Sequence, residues 1–248
     1  MTREQLIQQV ALRMDEVTPD NIGISDIFVD GADGNPLYAL IDGLVDSGCL
    51  ELFSVAPYWR LKQTTFSETA LESVGSQRTV GDGSITIATR QMIRLKVPDD
   101  FLRVAEISHP SFQRPITEVV QEISELGKRQ HNPFLMAKEA RPVGVMSHGV
   151  WVGGTTEDPT YEQCREIDCY SIPSTGALTG LVATYIPKPA TIDDDTAHSG
   201  ANAVSVEDVV PAVLIDALQW LIAARTFGAR GDANHSAICQ QNAQNLLV

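Results

Sequence analysis

The chain has 248 residues, 43% of them apolar and 20% charged, with a net charge of −14. This is ordinary globular usage, enough for one sizeable domain or two small ones, and it excludes wholesale disorder. The charge excludes a surface that grips nucleic-acid phosphate, which needs clustered Lys and Arg; acidity serves solubility, or lets DNA pass nearby without sticking.

Thr2 and Gln5 form a capping box, and Leu6, Val10 and Met14 recur at helical spacing, so a first helix is predicted from about Arg3 to Asp15. No apolar leader segment precedes it, and synthesis in a reducing cytoplasm is expected. Thr18 to Asn35 lacks periodicity and reads as a loop. Pro36 suits a helix start, and Leu37, Leu40, Ile41, Leu44 and Val45 give a second helix one apolar face up to about Leu52. Pro57-Tyr58-Trp59-Arg60-Leu61 follows, then a polar region, Thr64 to Gln77, with room for a short helix.

From Ser84 the period changes to two. Ile85 and Ile87, then Ile93, Leu95 and Val97, alternate with polar residues, which predicts antiparallel β structure. Pro98 to Leu102 makes a tight turn, and Val104 to Ile107 returns as the next strand. Ser124 to Gln130 is a short helix, broken at Asn132-Pro133. Pro142 to Met146 and Gly149 to Val152 are expected to form a hairpin turning at Ser147-His148. Glu166 to Ile172 and Gly180 to Ile186 are two more strands, spaced as in a sandwich or curled sheet.

Lys188 to Asn202 has linker composition. Beyond it, Asp208 is the expected cap of a helix with Pro211 in its first turn, whose body, Val213 to Phe227, is apolar on nearly every side. Such a helix has to be buried from more than one direction. The apolar run Val209 to Ala224 is shorter than the roughly 20 residues of a membrane span, and Asp216 and Gln219 interrupt it, so no membrane role is expected. A last helix starts at Asn234 or Ser236, with Cys239, Ala243 and Leu246 on one face. The expected fold class is α+β: terminal helices form a bundle around a central antiparallel, sandwich-like insertion. Its parts are 1–80 (N-terminal helical part), 81–190 (β-rich domain), 191–204 (linker) and 205–248 (C-terminal helices).

Chemical motifs are scarce. No G-x-S-x-G elbow and no phosphate-cradling loop occurs. His109, His131, His148, His198 and His235 fall singly and read as solvated loop or cap residues. Cys49, Cys164, Cys169 and Cys239 lack zinc spacing and read as buried free thiols. Asp30 to Asn35 fails as a calcium loop, since Ala32 takes a ligand position and Ile41 stands where a bidentate Glu belongs. Asp193-Asp194-Asp195 reads as a solvated charge run. Trp59, Trp151 and Trp220 are assigned to core or interface packing. No catalytic, cofactor or metal residue is assigned, and the chain is not expected to be an enzyme.

Four stretches carry a resemblance: Leu37 to Leu44 leading to Ala56-Pro57; Arg94-Leu95-Lys96-Val97-Pro98-Asp99-Asp100-Phe101-Leu102-Arg103; Arg141-Pro142-Val143; and the helix Val213 to Ala224. Their order and content resemble the adaptor, or head-completion, proteins of tailed bacteriophages, including the tail tubular protein of short-tailed phages. The resemblance implies a virion structural protein made in the host cytoplasm and placed at the head-tail junction. It further implies a cyclic homo-oligomer, usually of twelve copies, with the portal on one face and the next tail protein on the other. DNA would cross the lumen during ejection without being specifically bound. Leu246, Leu247 and Val248, with Trp220, are the candidate docking residues, either packed on their own chain or fitted to a partner. The alternatives are a β-rich ligand- or glycan-binding virion module with a groove around Trp151 and Tyr170, and, in third place, a glycoside hydrolase with a hidden acid pair.

Overall fold

A computed structural model of the chain describes residues 1–17, 36–67, 90–130, 135, 137–154, 159–173, 180–192 and 204–248. Outside the described residues lie the 18–35 loop with its calcium-like motif, the strand start at Ile85 and Ile87, the possible helix after residue 67, and Asn132-Pro133. So do His131, His198, Asp193-Asp194-Asp195 and most of the expected linker. The protein is mixed α+β, and it divides into two compact units, 1–62 with 188–248, and 63–187.

The first unit is helical. Its long helices are α1 (Arg3–Val17) and α2 (Pro36–Val55), with a 3-10 turn at Tyr58–Arg60. The second unit carries a short α3 (Glu125–Arg129), capped by the Ser124 side chain. Back in the helical unit come α4 (Val206–Val209), α5 (Ile215–Ala229) and α6 (Ala233–Leu247). Periodicity placed the long helices to within a few residues, but two caps differ from expectation. Ser205 caps α4, with Asp208 as the reciprocal third residue of a capping box, because Pro211 breaks the path before α5 begins. Asp232 caps α6, accepting from the His235 N–H at 3.2 Å.

α5 is the centre of this unit. Ten of its fifteen residues are buried, Leu218, Trp220, Leu221, Ile222 and Phe227 among them, and α1, α2 and α6 all pack on it. The stretch Ala212–Ala229 is long and apolar enough to cross a membrane by length and composition alone, and 61% of it is buried inside the protein. At the closest approach a Cβ on Gly48 would stand 2.6 Å from Ile222 Cγ1, so α2 reaches α5 only because position 48 has no side chain. Arg3 ties three separate stretches together: its Nε donates to Asp42 Oδ1 (2.5 Å), and its terminal nitrogens donate to the carbonyls of Asp42 and Ile192 (both 2.8 Å). Ile192, placed by composition at the head of a linker, is buried and held by this bond.

Among the described residues the second unit holds seven strands in two sheets, β1 (Thr64–Ser67), β7 (Val182–Pro187) and β3 (Phe101–Ser108) in one, and β2 (Arg90–Lys96), β6 (Pro159–Pro173), β5 (Gly144–Gly154) and β4 (Val119–Gln121) in the other, in those orders. The unit begins at Gln63, earlier than the 81 expected, because β1 pairs with β7. Side chains from both sheets share one apolar cluster, with Ile93, Leu95, Ile167 and Cys169 from one and Phe101, Ile107, Ala183 and Tyr185 from the other.

Three expectations are corrected here. The hairpin at Ser147-His148 does not form: β5 runs straight through, with Ser147 opposite Glu166 and His148 opposite Arg165, and the reversal lies beyond Gly154. Ser147-His148 lacks the glycine that tight hairpin turns require, whereas Gly153-Gly154 and Pro159 flank the real one. The sheet is not wholly antiparallel, since β4 joins β5 in parallel. The turn after β2 leads into the other sheet rather than to an adjacent strand, because Phe101 and Tyr185 stack with centroids 5.7 Å apart and Tyr185 Oη donates to Asp100 Oδ1 at 2.8 Å.

Gly48→Ala is expected to destabilise the protein by about 1–3 kcal/mol through overpacking, against a helix-propensity gain of about 1 kcal/mol. Adding Ile222→Ala should cost less than the sum of the two single changes in a denaturation cycle. Strict additivity would show that α2 and α5 do not meet at this point.

Candidate docking surface

Buried thiols, histidines and carboxylates give the described residues little exposed chemistry. Cys49, Cys169 and Cys239 are free and buried. Burial pushes the Cys49 and Cys169 thiols up to about 12 and the Cys239 thiol up to about 11, which keeps all three protonated at neutral pH. His109, expected in solvent, is buried against Phe112, and its Nδ1 accepts from the Ser111 N–H at 3.1 Å. His148 is exposed on β5, and His235 sits beside its cap residue Asp232. No cluster of three or more His, Cys, Asp or Glu with metal-binding geometry occurs among the described residues.

One acid pair does come together, Glu166 and Asp168, each 4% exposed, on alternate positions of β6. Both face Arg94 of β2, which forks onto Asp168 at 2.7 and 3.1 Å and lies 3.1 Å from Glu166. The hydrogen bond to Asp168 is the main reason the guanidinium holds its proton still more tightly than usual. An arginine clamped across both carboxylates occupies their oxygens, an ion-paired arrangement and the opposite of an acid and base poised apart. The signal for this pair was present in Glu166-Ile167-Asp168-Cys169-Tyr170, where charges alternate with core residues, but its partner lies 74 residues away. A cleft of about 350 Å³ beside β4 is lined by Arg114, Thr117, Glu118, Val120, Leu126 and Val143, among others. The side chain of Trp151, the expected centre of a groove, lies outside the described ones.

Several exposed apolar residues of the helical unit come together elsewhere, apart from Leu50, Val213 and Ile238, which are exposed at other positions of the chain. After α2, Pro57 starts the 3-10 turn that presents Tyr58 and Trp59, whose rings meet edge to face with centroids 5.2 Å apart. Trp59 is 68% exposed, and Val55 and Tyr58 are also exposed. Arg60, next in sequence, donates to the main-chain oxygens of Leu246 and Val248, each at 3.0 Å. This bond pair brings the aromatic turn to the last residues of α6, where Leu246 and Val248 are exposed and Leu247 is half-buried. Cys239 and Ala243 on the same helix face are fully buried, so the covered part of that face stops before Leu246. Trp220 is buried in the helical unit, with the Arg13 guanidinium 5.4 Å from its ring centroid. The sequence pattern points to residues 246 to 248 and assigns Trp59 to core or interface packing; proximity through Arg60 is not visible in a linear pattern.

The β6 charge row generates a pH prediction. Burial first, then the charge of Asp168, pushes the Tyr170 phenol up to about 12 from 10.0. A phenol raised in the folded state contributes stability that is complete below pH 10 and lost as pH climbs through about 12. Tyr170→Phe should therefore flatten the alkaline limb of a stability-against-pH curve while leaving the neutral region near wild type, and an unchanged alkaline limb would refute the assignment.

No known protein family matches the chain, and no curated protein matches it either.

Proposed function

We propose that this chain is a structural subunit of a ring that joins the portal of a tailed phage to its tail, with helical ends as a bundle and a sandwich-like β insertion. What carries the reading is the exposed surface formed by Tyr58, Trp59, Leu246 and Val248, held together by Arg60. Aromatic residues exposed beside aliphatic ones are the usual anchors of a protein interface, and an apolar patch rimmed by polar residues marks such a site. Among the described residues no exposed cluster competes with it as a reactive centre. The resemblance in Arg94 to Arg103 gains a physical role, since Phe101, Asp100 and Arg165 make the corner between the two sheets.

In this reading the partners are further copies of the chain, the portal and the next tail protein. The protein resides at the head-tail junction of the virion, performs no catalysis, and its net charge of −14 lets DNA slide past without binding. A second reading, a ligand-binding virion module, is favoured by the cleft beside β4, which is within the size range of small-molecule sites. Glycan arrays with the whole protein separate it from the first.

Trp59→Ala is expected to weaken binding to purified portal by about tenfold or more, the effect of losing an interface anchor. Truncation after Gln241 should do the same. Portal affinity unchanged in both variants, or a virion cross-section by electron microscopy without a ring of this protein at the junction, would end the proposal.

A further inference from the structure

An open strand edge is a template for another strand, and soluble proteins guard such edges with charge, proline or short length. Among the described residues the open edges follow that rule with two exceptions. β2 carries Arg90, Arg94 and Lys96, β3 carries Arg103 and Glu106, and β4 is three residues long. β6 beyond its pairing with β2 carries Pro159 and Glu162. β5 is different. β4 covers it only from Gly144 to Met146, so among the described residues Ser147 to Gly154 have a strand neighbour on one side alone. That stretch contains no Asp, Glu, Lys, Arg or Pro. The second bare edge is β1, Thr64-Thr65-Phe66-Ser67, also without charge or proline and, among the described residues, paired with β7 alone.

Past Met146 and Glu166 the β5–β6 ribbon is, among the described residues, two strands wide, and a two-stranded ribbon is marginally stable in water unless a third strand or another surface supports it. Copies that each carry a net charge of −14 repel one another except where both faces are uncharged. The two bare edges belong to different sheets of one copy, so they can meet only between copies, head to tail, and a head-to-tail contact is the kind that closes into a ring.

We propose that the β1 edge of one copy adds to the Ser147–Gly154 edge of the next, so that the β2-β6-β5 sheet of one subunit continues into the β1-β7-β3 sheet of its neighbour. This rests on the ring reading above for the side-by-side placement of copies. Pairing of β5 with its own copy is the competing geometry, and it would close on two copies.

The test uses the full chain with Cys164→Ser, leaving the three buried cysteines in place. Thr65→Cys is combined in turn with Gly149→Cys, Val150→Cys, Trp151→Cys or Val152→Cys, since a register slip of one residue reverses every side chain. After mild oxidation, at least one double variant should give a ladder of dimers, trimers and larger species on a non-reducing gel, with every single variant monomeric. Val150→Pro in the otherwise unchanged chain should weaken association by about tenfold or more by mass photometry. Circular dichroism establishes folding. As an independent measure, amides in 64–67 and 147–154 of wild-type protein should exchange more slowly as concentration rises. No ladder from any pair, dimers from a single β5 cysteine, or exchange independent of concentration would each overturn the joint. A ladder without portal binding sinks the adaptor reading and keeps the joint; portal binding without a ladder does the reverse.

Discussion

The helical unit is organised by a single constraint: α5 is apolar on nearly every side and leaves only a narrow part of its surface, Asp216 among it, to water. Ten buried residues of fifteen require partners on several sides, and the chain meets this by bringing α1 and α2 from its N-terminal part onto α5 and α6 from its C-terminal part. The 125-residue β unit is thereby an insertion between two halves of one core. Hydrophobic burial at about 25 cal/mol per Å² is non-directional, so the contacts that specify how the halves fit are steric and polar. Gly48 sets the approach of α2 to α5, and Arg3 fixes α1 against α2 and against the chain returning at Ile192.

The β unit solves a different problem. Its two sheets share one apolar cluster, and the corner between β2 and β3 is stiffened by Phe101, which stacks on Tyr185 and lies under the Arg165 guanidinium. Arg165 also donates to the Phe101 carbonyl, so the same arginine holds both the ring and the main chain. On the opposite side of β6, Arg94 neutralises Glu166 and Asp168. A buried ion pair of this kind adds little net stability over an apolar substitute, but removing one partner alone is strongly destabilising. Its value is register: only one alignment of β2 on β6 puts the guanidinium across both acids.

Much of this was legible in the linear pattern, for a physical reason. A helix or strand buries one face, and the spacing of apolar residues reports that face without knowledge of the neighbour. Leu6, Val10 and Met14, the Pro36 helix start, the alternation of Ile93, Leu95 and Val97, and the largely apolar helix after residue 213 were all readable in this way. Cap positions were off by a few residues, because Ser, Asp and Asn compete for the same role and only the path of the preceding chain selects one. The turn in β5 was misplaced because Ser147-His148 resembles a turn by composition, and nothing local shows that each residue has a partner across the ladder.

What the sequence by itself determined is the long helices, most of the strand-forming segments, the α+β class and the absence of familiar catalytic signatures, since these depend on neighbours within a few residues. What only the tertiary structure decided is which residues meet. Arg60 joins Leu246 across 186 positions, Arg94 joins Asp168 across 74, His109 is buried, and among the described residues β1 and the later part of β5 each have a strand neighbour on one side alone. Those outcomes follow from chain topology and pairing register, and a register is a property of two strands at once, so no periodicity within either one contains it.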